Sequence, residues 1–158
     1  MMAPSEIPMS ESILFFEDIL AAGAGLRVKA TGRSMLPFLR GGEILTIKKV
    51  PPSSLRMGDV IFFRRNPGGQ AVVHRIVRKS GERETGFTFR TKGDALIGPD
   101  EPVSEQEILG KVCAVESGVR HANLEAGAWR AFSYLVAVIG LFKAESRAAL
   151  RAMSHLFR

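Results

Sequence analysis

Three kinds of side chain here have the types that hydrolytic chemistry needs: a hydroxyl at Ser34, an imidazole at His74, and carboxylates at Asp94 and Asp100. Ser34 lies in Thr31-Gly32-Arg33-Ser34-Met35-Leu36-Pro37. Glycine before it admits unusual dihedrals and proline after it fixes the exit. A serine held that way at a strand end is exposed, which suits a nucleophile. The same composition also makes an ordinary turn, so the segment alone does not choose between the two.

The base would come from Val72-Val73-His74-Arg75-Ile76-Val77. Strand alternation puts Val72, His74 and Ile76 on one face and Val73, Arg75 and Val77 on the other. Both faces are largely apolar, so the imidazole is expected to be shielded. Such a histidine can simply be a satisfied core residue. Burial also favours the neutral form of an imidazole, which is the form a general base needs. The acids follow a further strand: Phe87, Phe89 and Thr91 alternate into Lys92-Gly93-Asp94, and Asp100 sits in the loop of residues 95–102. Either aspartate can equally stabilise a turn.

These residues must be carried by about ninety residues of strand. Residues 26–30 alternate Leu26, Val28 and Ala30 with Arg27 and Lys29 and deliver the chain to Ser34. Residues 43–50 follow Gly41-Gly42, and Pro51-Pro52 ends them. Val60-Ile61-Phe62-Phe63, entered through the turn at Gly58-Asp59, is a continuous apolar run that suits a strand buried on both faces. Asn66-Pro67-Gly68-Gly69 leads into the histidine strand, residues 81–86 form a polar loop, and residues 107–116 make the last strand. Six strands joined by Gly/Pro turns, with no helix between them, predict a mainly β fold: a coiled antiparallel sheet or barrel.

Helical patterns flank this core. Ser10 can cap a helix over residues 10–23, with Ile13, Phe16 and Leu20 on one face and Gly23 and Gly25 at its end. That face can cover the core, a membrane surface or a partner. After Gly118, Ala, Leu and Arg favour a helix over about 124–157, with a kink expected at Gly140. The expected organisation is an amphipathic helix (1–25), a β-rich catalytic unit (26–117) and a basic helical tail (118–158).

The 158 residues carry a net charge of +6, and Arg120, Arg130, Lys143, Arg147, Arg151 and Arg158 against Glu125 and Glu145 place +4 of it in the tail. Residues 124–158, apolar first and then basic, fit either packing on the core or peripheral contact with a bilayer. No helix-turn-helix or zinc pattern is present, so nucleic acid is not the expected partner. Cys113, the single cysteine, lies in an apolar run and reads as an inert buried thiol. No metal or cofactor is expected, because His74, His121, His155 and Cys113 lack ligand spacing and no phosphate loop occurs. Glu17 and Asp18 interrupt the N-terminal apolar residues, which excludes a signal peptide there, and the apolar run 131–142 is too short to span a bilayer. The expected location is cytoplasmic or peripheral to a membrane.

Five motifs in order give the chain a resemblance to the signal peptidase I superfamily of serine peptidases. They are G-x-S-M-x-P around Ser34, G-D-V-I-x-F at Gly58 to Phe63, V-x-H-R-I ending at Ile76, T-K-G-D at Thr91 to Asp94, and I-x-G-K-V at Ile108 to Val112. The resemblance implies a coiled β fold in which Ser34 attacks a peptide carbonyl and His74 takes its proton, as in the histidine-type archaeal and endoplasmic-reticulum relatives. It implies an acid behind the imidazole, Asp100 by spacing, with Asp94 second. Gly32 stands where many relatives have a serine that helps hold the oxyanion, which leaves main-chain donors such as the Ser34 N–H, with Thr31 as a helper. Ala95 replaces the usual asparagine. Without an N-terminal anchor, the resemblance implies a processing endopeptidase acting on an extended precursor or leader peptide. Lys92 is the chemical rival to His74 as base. The competing reading is a non-catalytic module that binds peptides or, through its tail, a membrane surface or nucleic acid.

Overall fold

A computed structural model describes residues 9–65, 69–118 and 120–156. The chain runs α1 (Met9–Ala21), β1 (Leu26–Lys29), β2 (Ile44–Lys48), β3 (Val60–Arg65), β4 (Gln70–Glu82), β5 (Gly86–Lys92), β6 (Val103–Ser104), β7 (Ile108–Ser117), β8 (Arg120–Asn123) and α2 (Gly127–Leu156). The strands form one antiparallel sheet in the order β1-β2-β7-β3-β4-β5-β6, with β8 added on β7.

Two long strands give the sheet its shape. One edge of β7 pairs with β2, while the other takes β3 at Ile108–Lys111 and β8 at Ala114–Ser117. The first half of β4 pairs with β3 and its second half, from Arg75 on, with β5. Register shifts at Thr46/Ile47, Phe62/Phe63 and between Ile76 and Arg78 add the local twist that coils it. The mainly antiparallel β-sheet is therefore present, but the barrel alternative is corrected. Among the described residues β1 pairs only with β2 and β6 only with β5, so the two ends of the order do not meet.

The apolar run of β3 is buried on both sides, as its pattern predicts. Val60 and Phe62 enter one core with Leu26, Leu45, Ile47 and Val112, whereas Ile61 and Phe63 enter a second with Leu55, Ile76, Phe89 and Val103. β4 divides likewise: Val73 packs on the first core, and Val72 and Ile76 belong to the second. His74 shares the face of Val72 and Ile76.

The helices differ in detail from expectation. α1 begins at Met9, one residue ahead of the expected cap Ser10, and Ile13 and Leu20 are buried in the first core while Phe16 meets Phe62. Packing on the core is thus the role its apolar face takes, although Leu14 and Phe15 remain exposed on the other side. Gly23, at φ 78°, ends the helix, with Ala24 N–H returning to Ile19 O. At the other end, residues 120–123 form β8 rather than leading straight into helix, and Leu124 is buried with its N–H on Cys113 O. α2 starts at Gly127 and continues through Gly140 without a break. Its backbone rests on Gly58: a β-carbon there would lie 2.8 Å from Tyr134 N. Among the described residues, no helix is long and apolar enough to cross a membrane.

Candidate active site

The turn after β1 holds Ser34 by main-chain bonds on both sides. Ala30 N–H donates to Glu43 O and Gly42 N–H to Ala30 O, while the Glu43 carboxylate accepts the Arg40 and Gly41 N–H groups at 2.8 Å each. Across the site, Ala95 N–H donates to Ser34 O at 2.9 Å, so the serine turn is tied to the loop after β5. Gly93 lets the two approach. A β-carbon at that position would lie 2.6 Å from Ser34 O and 3.0 Å from His74 Nε2, space that only glycine leaves.

Three groups then line up. Ser34 Oγ lies 3.0 Å from His74 Nε2, and His74 Nδ1 lies 2.5 Å from Asp100 Oδ2. Asp100 Oδ2 also accepts the Thr91 hydroxyl at 2.7 Å, Oδ1 accepts Arg65 Nη2 at 2.5 Å, and the Asp100 N–H donates to Thr91 O. The imidazole is 3 % exposed and packs beside the Phe63 ring. An ionised carboxylate can only accept, so the ring proton sits on Nδ1 and the Nε2 lone pair faces the serine O–H. That is the arrangement in which imidazole can take the hydroxyl proton.

Burial works to raise the Asp100 carboxyl, but the hydrogen bond and charge of His74, the Thr91 hydroxyl and the Arg65 guanidinium outweigh it and hold the group below its ordinary 3.8. A carboxyl with a depressed folded value adds stability that is present above the unfolded value and is lost as pH falls through the folded one. The Asp100 contribution is therefore complete at neutral pH and fades below about pH 4. Denaturant melts across that acid range should show the stability gap between wild type and Asp100→Asn narrowing as pH falls. A gap that widens toward acid would contradict this assignment.

Asp94 is placed elsewhere. Both its oxygens are taken by Arg75, from Nε at 2.8 Å and Nη2 at 2.6 Å, and the guanidinium also donates to Gly58 O and lies 4.8 Å from the centre of the Phe38 ring. Arg75 follows His74 and so points to the opposite face of β4. Of the two candidate acids, Asp100 reaches the imidazole, and Asp94 joins the ion pair behind the sheet. Lys92, on the same side as Arg75, is buried with Nζ near Gly93 O and close to Gly140 of α2. Burial pushes its amine down, against the opposing pull of Asp94, with Lys143 lowering it further and Asp100 raising it. Thr91 and Arg65 had no assigned role in the sequence reading. Alternation into the T-K-G-D segment was the available signal for Thr91; for Arg65, at the end of β3, there was none.

A cleft of about 490 Å³ opens beside Ser34, between the end of β1 and the start of β4. Val28, Ala30, Leu45, Phe62, Ala71 and Val73 give it an apolar floor. No protein-family model matches the chain, and no curated protein matches it.

Proposed function

We propose that the chain is a serine endopeptidase of the signal peptidase type, cleaving an extended precursor or leader peptide with Ser34 as nucleophile, His74 as base and Asp100 as the group that orients the imidazole. The observation that carries the reading is the continuous hydrogen-bonded series Ser34 Oγ, His74 and Asp100, of which Ser34 and His74 line a cleft with an apolar floor. In the first step Ser34 Oγ bonds to the scissile carbonyl carbon as its proton passes to Nε2, and Asp100 stabilises the imidazolium. Collapse of the tetrahedral intermediate breaks the C–N bond, and Nε2 returns the proton to the leaving amine. Water, deprotonated by the same nitrogen, then hydrolyses the ester. Among the described residues neither the Ser34 N–H nor the Thr31 hydroxyl has a protein acceptor, which leaves both free for the oxyanion.

The cleft also suits an extended substrate. The outer edge of β1 is unpaired among the described residues, and so is the edge of β4 opposite β3 before Arg75. A peptide laid between them can add as a strand, with a small apolar side chain directed onto the floor. A fluorophosphonate probe followed by peptide mass mapping tests the reading. Modification is expected on Ser34, with its rate collapsing in His74→Ala. A wild-type protein that is neither labelled at Ser34 nor able to cleave small-residue peptides would overturn it.

A peripheral role for the tail has separate support. Phe132, Leu135, Ile139 and Phe142 are exposed along α2 at a spacing that puts them on one side. In sequence, Lys143, Arg147 and Arg151 follow at intervals of four. An apolar stripe continued by basic residues is the pattern of a helix lying on an anionic bilayer. Flotation with phosphatidylglycerol vesicles should carry the protein, and Lys143→Glu/Arg147→Glu should release it. Equal partition in both proteins would count against membrane contact.

A further inference from the structure

The charge of the cleft wall points to the kind of peptide that enters it, an argument that rests on reading the cleft as a peptide site. Lys29, Arg33 and Arg65 all line it, and no carboxylate is among its lining residues. Arg65 is paired with Asp100, but Lys29 and Arg33 are exposed and have no acidic partner among the described residues. The nearby acids are already engaged: Glu43 by the main-chain N–H groups of Arg40 and Gly41, Glu116 by Arg27, and Glu17 by Arg64. Two uncompensated cations therefore flank the nucleophile, one beside it in sequence and one on the edge strand leading to it.

Strand geometry says where on a substrate this charge acts. In β1, Leu26 and Val28 face the core and Arg27 and Lys29 face outward. A strand added to β1 shares its pleat, so residues that drop a side chain onto the Val28/Ala30 floor alternate with residues whose side chains stand beside Lys29. We propose that this cleft selects extended segments in which small apolar residues alternate with acidic ones, the acidic side chains meeting Lys29 and Arg33. The carboxylates would be drawn to the cations without entering the apolar floor, so little desolvation opposes the attraction.

Binding to the full chain carrying Ser34→Ala tests this without requiring turnover. Three synthetic peptides would be compared by fluorescence anisotropy, each with alanine at alternate positions and Asp, Asn or Lys between them. At low ionic strength the Asp peptide should bind roughly fivefold tighter than the Asn peptide for each cation engaged, with the Lys peptide weakest, and salt should compress the order. Adding Lys29→Gln and Arg33→Gln should remove the difference between Asp and Asn. Equal affinities for Asp and Asn peptides, a preference for Lys, or no binding of any peptide would overturn the inference. Cleavage by the wild type is scored separately. Selective binding without cleavage sinks the peptidase reading alone, and cleavage of the three peptides at equal kcat/KM sinks the charge preference alone.

Discussion

Under the proposed mechanism, replacing Ser34 with alanine is expected to lower kcat for peptide hydrolysis by on the order of 10⁶-fold, and adding His74→Ala to that variant should remove almost nothing more. The reason lies in the shared proton. In the proposed mechanism Ser34 Oγ is a weak nucleophile until the base 3.0 Å away accepts its hydrogen, and the later proton transfers through that base follow only after Ser34 has attacked. Removing either partner therefore removes the whole step, and the two losses do not add. Lys92 supplies the control. It is buried on the side of Arg75 and approaches Gly93 O and α2, with the strand between it and the imidazole face. Lys92→Met keeps its volume and should retain kcat to within about threefold, a mild repacking effect. Full steady-state kinetics on small-residue peptides check these variants, and His74→Ala alone, against the wild type. A Lys92→Met variant that loses activity while His74→Ala keeps it would transfer the base role to the lysine.

The parts of this site that follow strand period were legible in the sequence, and the parts that depend on loop path were not. Two-residue alternation around His74 put the imidazole with Val72 and Ile76, and the structure has those two in one core with Ile61 and Phe63 beneath. The same period ends at Lys92, so nothing in the sequence says how residues 93–100 return. In the structure Asp100 N–H closes on Thr91 O, which brings its carboxylate back beside a strand already left behind. That is a non-local event: the residues by themselves left Asp94 and Asp100 both open, and it was the family resemblance that favoured Asp100. β8 escaped for a different reason. Arg120, His121 and Asn123 are exposed, so no apolar alternation marks them, and their strand character comes from main-chain pairing with β7. β6, with two residues, is too short to have a period. Whether the sheet closes depends on which edges find partners, and local pattern does not contain that information.

Asp94→Asn is expected to destabilise the protein by about 3–5 kcal/mol, the range for breaking a buried ion pair from one side. Arg75 is buried, and with asparagine at position 94 its full positive charge would face only neutral partners: one amide oxygen, the Gly58 carbonyl and the Phe38 ring. In a domain of this size the loss corresponds to a fall in Tm of roughly 10 °C or more. The damage would spread toward catalysis, because Arg75 joins the loop carrying Asp94, the entry to β3 at Gly58 and the ring of Phe38 four residues after Ser34. Asp100→Asn should behave in the opposite way. Its amide can present N–H to Nδ1 and favour the wrong imidazole tautomer, which lowers kcat by about 10⁴-fold with a much smaller change in melting. Thermal melts and kcat measured on both variants give a crossed pattern if the assignment is right. Replacing the pair together, Arg75→Met with Asp94→Leu, removes the stranded charge and should recover most of the stability that Asp94→Asn loses. If Asp94→Asn instead melts like wild type and loses its rate, the aspartate behind the sheet is the one that serves the imidazole.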